Sequence, residues 1–147
     1  MKKIMLVLAC VMMTIGIQAK DVVTKVTVEE LPEKAQKFIK EHFQAVQVKS
    51  VMQETDEDGV IEYTVRLKDK TEIEFDMVGA WNSVLVKKSA MPRFIVPVKV
   101  QNAIDKEFAN KIIKKVENDG YSFDFDFSDG TEAEINAQGD VTELEIK

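Results

Sequence analysis

His42 is the only histidine among the 147 residues, so any nucleophile activated by an imidazole would have to be built on it. It sits at the end of an apolar helical stripe, and its counterpart in the second half of the chain is Glu107. A partly buried or surface histidine is the plainer reading. Glu54–Gly59, "ETDEDG", sets acids at alternate positions before a glycine, as a calcium loop does. Its twelfth position, however, is Val65 rather than a bidentate glutamate, and strand-like segments flank it, so it reads as a solvated hairpin turn. Carboxylates in close pairs are plentiful, but acid–base work needs two of them in contrasting environments within a cleft. On alternating strands they are the wet face. No catalytic residue, cofactor or metal site is expected, and the chain reads as non-enzymatic.

Composition narrows the partners. Lys2 and Lys3 precede a 14-residue apolar run, Ile4–Ile17, and Ala19 offers a small residue for cleavage. That is the layout of a signal peptide over residues 1–19, and the run is too short for an ordinary membrane-spanning helix. The rival reading is a lipoprotein signal at Cys10. Cleavage near Ala19 would leave a periplasmic or secreted chain of 128 residues without cysteine, and hence without a thiol nucleophile. Of the 20 basic residues Lys2 and Lys3 would be lost, leaving 18 against 26 acids and a net charge of −8. Nucleic acid and anionic lipid are poor partners for such a chain.

The chain repeats itself. "LPEKAQKFIKEHF" (31–43) matches "VPVKVQNAIDKEF" (96–108), and "YTVRLKDKTEIEFDMVGAW" (63–81) matches "FDFDFSDGTEAEINAQGDV" (123–141). Each copy opens with a proline and an apolar stripe at helical spacing: Leu31, Ala35, Phe38, Ile39 and Phe43, then Val96, Val100, Ala103, Ile104 and Phe108. The segments that follow alternate with period two. The expected fold is α+β: two tandem repeats, residues 20–87 and 88–147, each one helix packed on one face of an antiparallel sheet of about four strands.

Parity fixes the second hairpin. A two-residue Asp129-Gly130 turn would scramble the faces, whereas a three-residue loop, Ser128–Gly130, pairs Phe125 with Ala133 and Phe123 with Ile135. Gly130 then takes the left-handed position that Lys70 occupies in the first copy. A further glycine turn, at Gly79 and Gly139, leads to a last strand in each copy. Trp81 and Val141 fall out of step there, which predicts a bulge or an outward Trp81. Leu144 and Ile146 are expected in the core.

This register leaves a face without helices. In the first copy it carries Thr64, Arg66, Glu72 and Glu74, with Arg66 opposite Glu72. In the second it carries Asp124, Asp126, Glu132 and Glu134, with like charges directly opposed. Residues 96–147 hold 6 basic and 12 acidic side chains, against 8 and 11 for residues 31–87. Charge on an uncovered sheet keeps it soluble; the same charge suits a basic protein or a cation. Trp81 has two readings, core packing or an interface anchor beside Arg66.

These motifs, "LP…A..FI..HF", "Y.VRL.D.TEIEFD..G.W" and a second "VP" helix with its degenerate copy, resemble the PepSY-like proteins. These are exported bacterial proteins common in Bacteroidetes and described as similar to the β-lactamase inhibitory protein. The resemblance spans residues 20–147. It implies tandem α/β units with an extended concave sheet surface, and a binding or inhibitory role in the cell envelope. The resulting expectation is an exported binding module that meets a protein partner through the helix-free face, at Thr64, Arg66, Glu72, Glu74, Trp81, Asp124, Asp126, Glu132 and Glu134. The alternative is an envelope protein that responds to a divalent cation through its acidic face.

Overall fold

The computed structural model describes residues 21–147. The expected signal peptide, its cleavage near Ala19 and the alternative at Cys10 therefore lie outside the described residues. In chain order the strands and helices are β1 (Val22–Val26), α1 (Glu33–His42), β2 (Val48–Thr55), β3 (Ile61–Leu67), β4 (Glu72–Phe75), β5 (Trp81–Leu85), α2 (Val98–Glu107), β6 (Ile113–Asn118), β7 (Ser122–Phe127), β8 (Glu132–Asn136) and β9 (Val141–Glu145). Short 3-10 turns precede both helices.

All nine strands form one antiparallel sheet in sequence order. This corrects the expected pair of helix-on-sheet units with about four strands each. β5 pairs with β6 through Ser83↔Glu117, Val84↔Val116 and Leu85↔Lys115, so the sheet does not break between the halves. The physical reason is that a free β5 edge would leave a row of backbone groups unpaired and an apolar flank wet. Joined to β6, Val84 and Val86 are fully buried. The architecture is mostly sheet, with two ten-residue helices on one face. β1 also lies outside the expected plan; its five residues are almost wholly exposed and carry no burial pattern to read.

Both apolar stripes seat on the same side of the sheet. Leu31, Ala35, Ile39 and Phe43 share a continuous core with Val96, Val100, Ala103 and Phe108, through the inward residues of β2 to β8. Helix starts follow from Pro32 and Pro97, whose carbonyls accept the first helical N–H bonds. Under each start passes a glycine turn. A Cβ on Gly79 would stand 2.8 Å from the Ala35 nitrogen, and one on Gly139 would stand 2.6 Å from the Lys99 oxygen. No side chain fits between turn and helix there.

Trp81 joins the two halves on the helix side. A bulge between Glu74 and Phe75 restores its parity, placing it opposite Phe75. Its ring stacks on Phe38 at 5.9 Å and on Phe123 at 6.2 Å between centroids. The expectation that Leu144 and Ile146 are core is also corrected: they are 54% and 74% exposed. β9 is the last strand, and among the described residues nothing lies beyond it as β6 lies beyond β5.

Candidate functional site

The face without helices is built by alternation. Because Val65, Ile73, Val84, Val116, Phe125 and Ala133 point into the core, their neighbours point out. Across the strands these outward residues form two rows. One runs Arg66, Glu72, Leu85, Lys115, Asp126, Glu132, Glu145. The other runs Thr64, Glu74, Ser83, Glu117, Asp124, Glu134, Glu143. Eight of the nine expected site residues lie in these rows: Thr64, Arg66, Glu72, Glu74, Asp124, Asp126, Glu132 and Glu134. Trp81 does not join them, since its ring belongs to the helix side.

Charge is graded along the rows. Arg66 Nε donates to Glu72 Oε2 at 3.2 Å, so this pair of the first hairpin is neutral. In the second, Asp126 faces Glu132 and Asp124 faces Glu134. Two lysines temper this. Lys115 pairs with Glu117 on its own strand, and Lys147 reaches Glu132 at 2.9 Å. Burial tends to pull the Lys115 ammonium down, but its bond to Glu117, with Asp126 and Glu74 nearby, holds it above the ordinary lysine value.

The half-buried carboxylates feel one another. Burial, then Glu134, Glu117, Asp119 and Asp126, push the Asp124 carboxyl up to about 6. Burial raises Asp126 too, with Glu132 adding to it and Lys115 opposing it. Glu74 is raised by burial and by Glu72. Like charges at these positions oppose folding.

Turn carboxylates behave in the opposite way. Asp129 accepts from Lys111 and from the Thr131 N–H, and the Lys111 bond leads in lowering it to about 2. Against a burial that raises it, bonds from Ser89 and the Thr71 N–H hold Asp69 below its usual range. Asp56 Oδ1 accepts from the N–H groups of Asp58 and Val60, so "ETDEDG" closes its hairpin with its own side chain. Many acids in the sequence are therefore turn parts; those in the rows face outward together, as do Glu54 and Glu62, opposed across β2 and β3. His42 packs its ring against Phe38, at 4.7 Å between centroids.

Sequence reasoning missed Lys115, Glu117, Glu143 and Glu145 as members of the face. The signal was present in "KIIKKVEN": Val116 inward forces Lys115 and Glu117 outward. Among the described residues no three acids, histidines or cysteines gather closely enough to hold a metal ion. Nor is any helix there long and apolar enough to cross a membrane.

A helix-backed antiparallel sheet with one polar, charge-graded face defines a small sheet protein whose broadest regular surface is open. Residues 61–143 match the family described as "Putative beta-lactamase-inhibitor-like, PepSY-like", and the chain belongs to that PepSY-like family. It is similar to a Bacteroides vulgatus protein of the DUF2874 family described as a "putative periplasmic protein", at 29% identity and a TM-score of 0.76, covering 84% of this chain and 96% of that one. It is also similar to a Bacteroides thetaiotaomicron protein described as a "putative calcium-regulated periplasmic protein". There the identity is 25% and the TM-score 0.77, with the same shares of both chains covered. A second Bacteroides vulgatus protein, of unknown function, is 25% identical with a TM-score of 0.76, over 86% of this chain and 99% of that one. No curated protein matches the chain.

Proposed function

We propose that this protein is an exported, non-enzymatic binding module that holds a basic protein partner on the helix-free face, centred on the second hairpin. The observation that carries the reading is the opposed pairs Asp126/Glu132 and Asp124/Glu134, kept at half-buried positions where folding gains nothing from them. A cationic partner would relieve that repulsion on docking. Thr64, Arg66, Glu72 and Glu74 extend the same surface, while Trp81 would act only by holding the sheet together. Likeness to proteins described as periplasmic supports an envelope location. The family description supports an inhibitor-like role, with a hydrolase as the most specific partner class. In a pull-down from envelope extract, wild type should retain a salt-sensitive partner that an Asp124→Asn/Asp126→Asn variant loses. Equal recovery by both would remove the face from the reading.

A second reading, a divalent-cation response, draws on the same carboxylates and on the calcium-regulated description of a similar protein. The face offers pairs rather than a chelating set of three, which favours a protein partner over an ion. A melting temperature unmoved by millimolar calcium would end the cation reading.

A further inference from the structure

β5 and β9 hold corresponding places, each following a glycine turn and a bulge, yet among the described residues only β5 has a strand on its far side. The consequence shows in burial. Val84 and Val86 are 0% and 1% exposed, whereas Leu144 and Ile146 are 54% and 74% exposed, and Val141 is 38% exposed. Backbone direction follows from the ladder. Phe127 N–H bonds the Thr131 oxygen at 2.9 Å, and narrow pairs recur every second residue, so Ala133 and Ile135 spend their backbone groups on β7. Glu132 and Glu134 then turn theirs to β9, where Glu145 and Glu143 meet them. The N–H and C=O of Leu144 are left pointing at the free edge.

We infer that the β9 edge is a strand-addition site for an extended segment of a partner protein with alternating apolar and basic residues. The molecule contains a template for such a strand. On β5, β6 sets Val116 beside Val84 on the helix side and Lys115 on the outer face. A strand on β9 in that register would cover Leu144 with an apolar side chain and set basic ones against Glu143 and Glu145. Backbone bonds would supply affinity and the alternation would supply specificity. A second copy of β9 fits poorly, because antiparallel pairing would bring Glu143 and Glu145 against their own equivalents. This site lies at the sheet edge and does not require the face reading proposed above.

The probe is a labelled ten-residue peptide, NKIIKKVKND, which is Asn110–Asp119 with Glu117→Lys. Wild type should bind it saturably by fluorescence anisotropy, and amide exchange at Leu144 and Ile146 should slow in its presence. Leu144→Pro removes the outward N–H at an edge position where proline is tolerated. It should weaken binding at least tenfold with an unchanged circular dichroism spectrum. Should Leu144→Pro lose structure, Leu144→Ser keeps the N–H and should weaken binding severalfold through the lost apolar contact. The acidic control NKIIKEVEND should not bind. The inference is overturned if exchange protection falls elsewhere or if the control binds equally. Undiminished binding by a folded Leu144→Pro variant would overturn it too, as would a wild-type dimer that this variant renders monomeric. Loss of binding in Leu144→Pro alongside retention in Asp124→Asn/Asp126→Asn would separate the edge from the face.

Discussion

In the β3–β4 hairpin Arg66 faces Glu72 across the outer surface, whereas in the β7–β8 hairpin Asp126 holds the corresponding position opposite Glu132. Asp124 likewise stands where the first hairpin has Thr64, while loops and inward residues of the two hairpins nearly match. Each closes through a three-residue loop whose aspartate, Asp69 or Asp129, accepts the N–H two residues on at 2.9 Å. Each turns Phe75 or Ile135 and their inward neighbours into the core. Backbone, loop and core thus tolerate either charge pattern, so the acidic face of the second hairpin is not something the fold demands. A difference that folding does not need is where a binding role is best sought.

The comparison can be broken most severely at the seam. Trp81→Ala would remove the ring that stacks between Phe38 and Phe123 and should cost about 3 kcal/mol in denaturant unfolding, reduced where the partly exposed site lets neighbours close in. The proposal that Trp81 acts by packing alone also requires that a partner's affinity, measured on folded protein, be unchanged.

Asp124→Asn should act in the other direction. The folded Asp124 carboxyl titrates near 6, above its unfolded value of about 3.8, so the folded state holds the extra proton between these values. Stability from this group therefore falls as pH rises through that window, and the full penalty is present at neutral pH. After allowance for solvent screening, the substitution should stabilise by on the order of 1 kcal/mol at pH 7.5. The gain should vanish near pH 4. A gain that persists at pH 4 would point to packing instead of charge.

The loops provide a smaller contrast. Lys70 has φ 69° and Gly130 has φ 88°, so the same left-handed position is filled once by a residue that resists it. Gly130→Ala should cost about 1 kcal/mol and Lys70→Gly should gain somewhat less, both read from urea midpoints. Smallest is Arg66→Gln. It removes an exposed pair and should cost about 0.5 kcal/mol, declining with salt.

How much of this was legible depended on periodicity. Helix stripes, the Ser128–Gly130 loop and the Phe125↔Ala133 register follow from a choice between two faces, which one misplaced residue would scramble; at Trp81 parity left a bulge or an outward ring, and the fold has the bulge. Periodicity did not show the union of the two expected sheets, which only the family resemblance implied, because edge pairing is made by backbone groups that every sequence possesses. β1 escaped for the same reason, having no buried side chains to impose alternation. Leu144 and Ile146 misled in the opposite way: their pattern is that of a covered strand, and covering comes from a neighbour the sequence does not announce. For the site, periodicity already set the turn acids of "ETDEDG" and of the Ser128–Gly130 loop apart from the strand acids, but not what fastens them. Asp129 is fastened by Lys111, eighteen residues away, a contact that only the folded chain displays.

On the function proposed above, the acidic outer face of β7 and β8 is kept for a partner at some expense to the fold. That claim is tested most directly by measuring two quantities on one Asp124→Asn/Asp126→Asn variant: unfolding free energy at pH 7.5, and Kd for the partner recovered from envelope extract. The account predicts a variant more stable than wild type that binds at least tenfold more weakly. A variant that binds as tightly as wild type would contradict it.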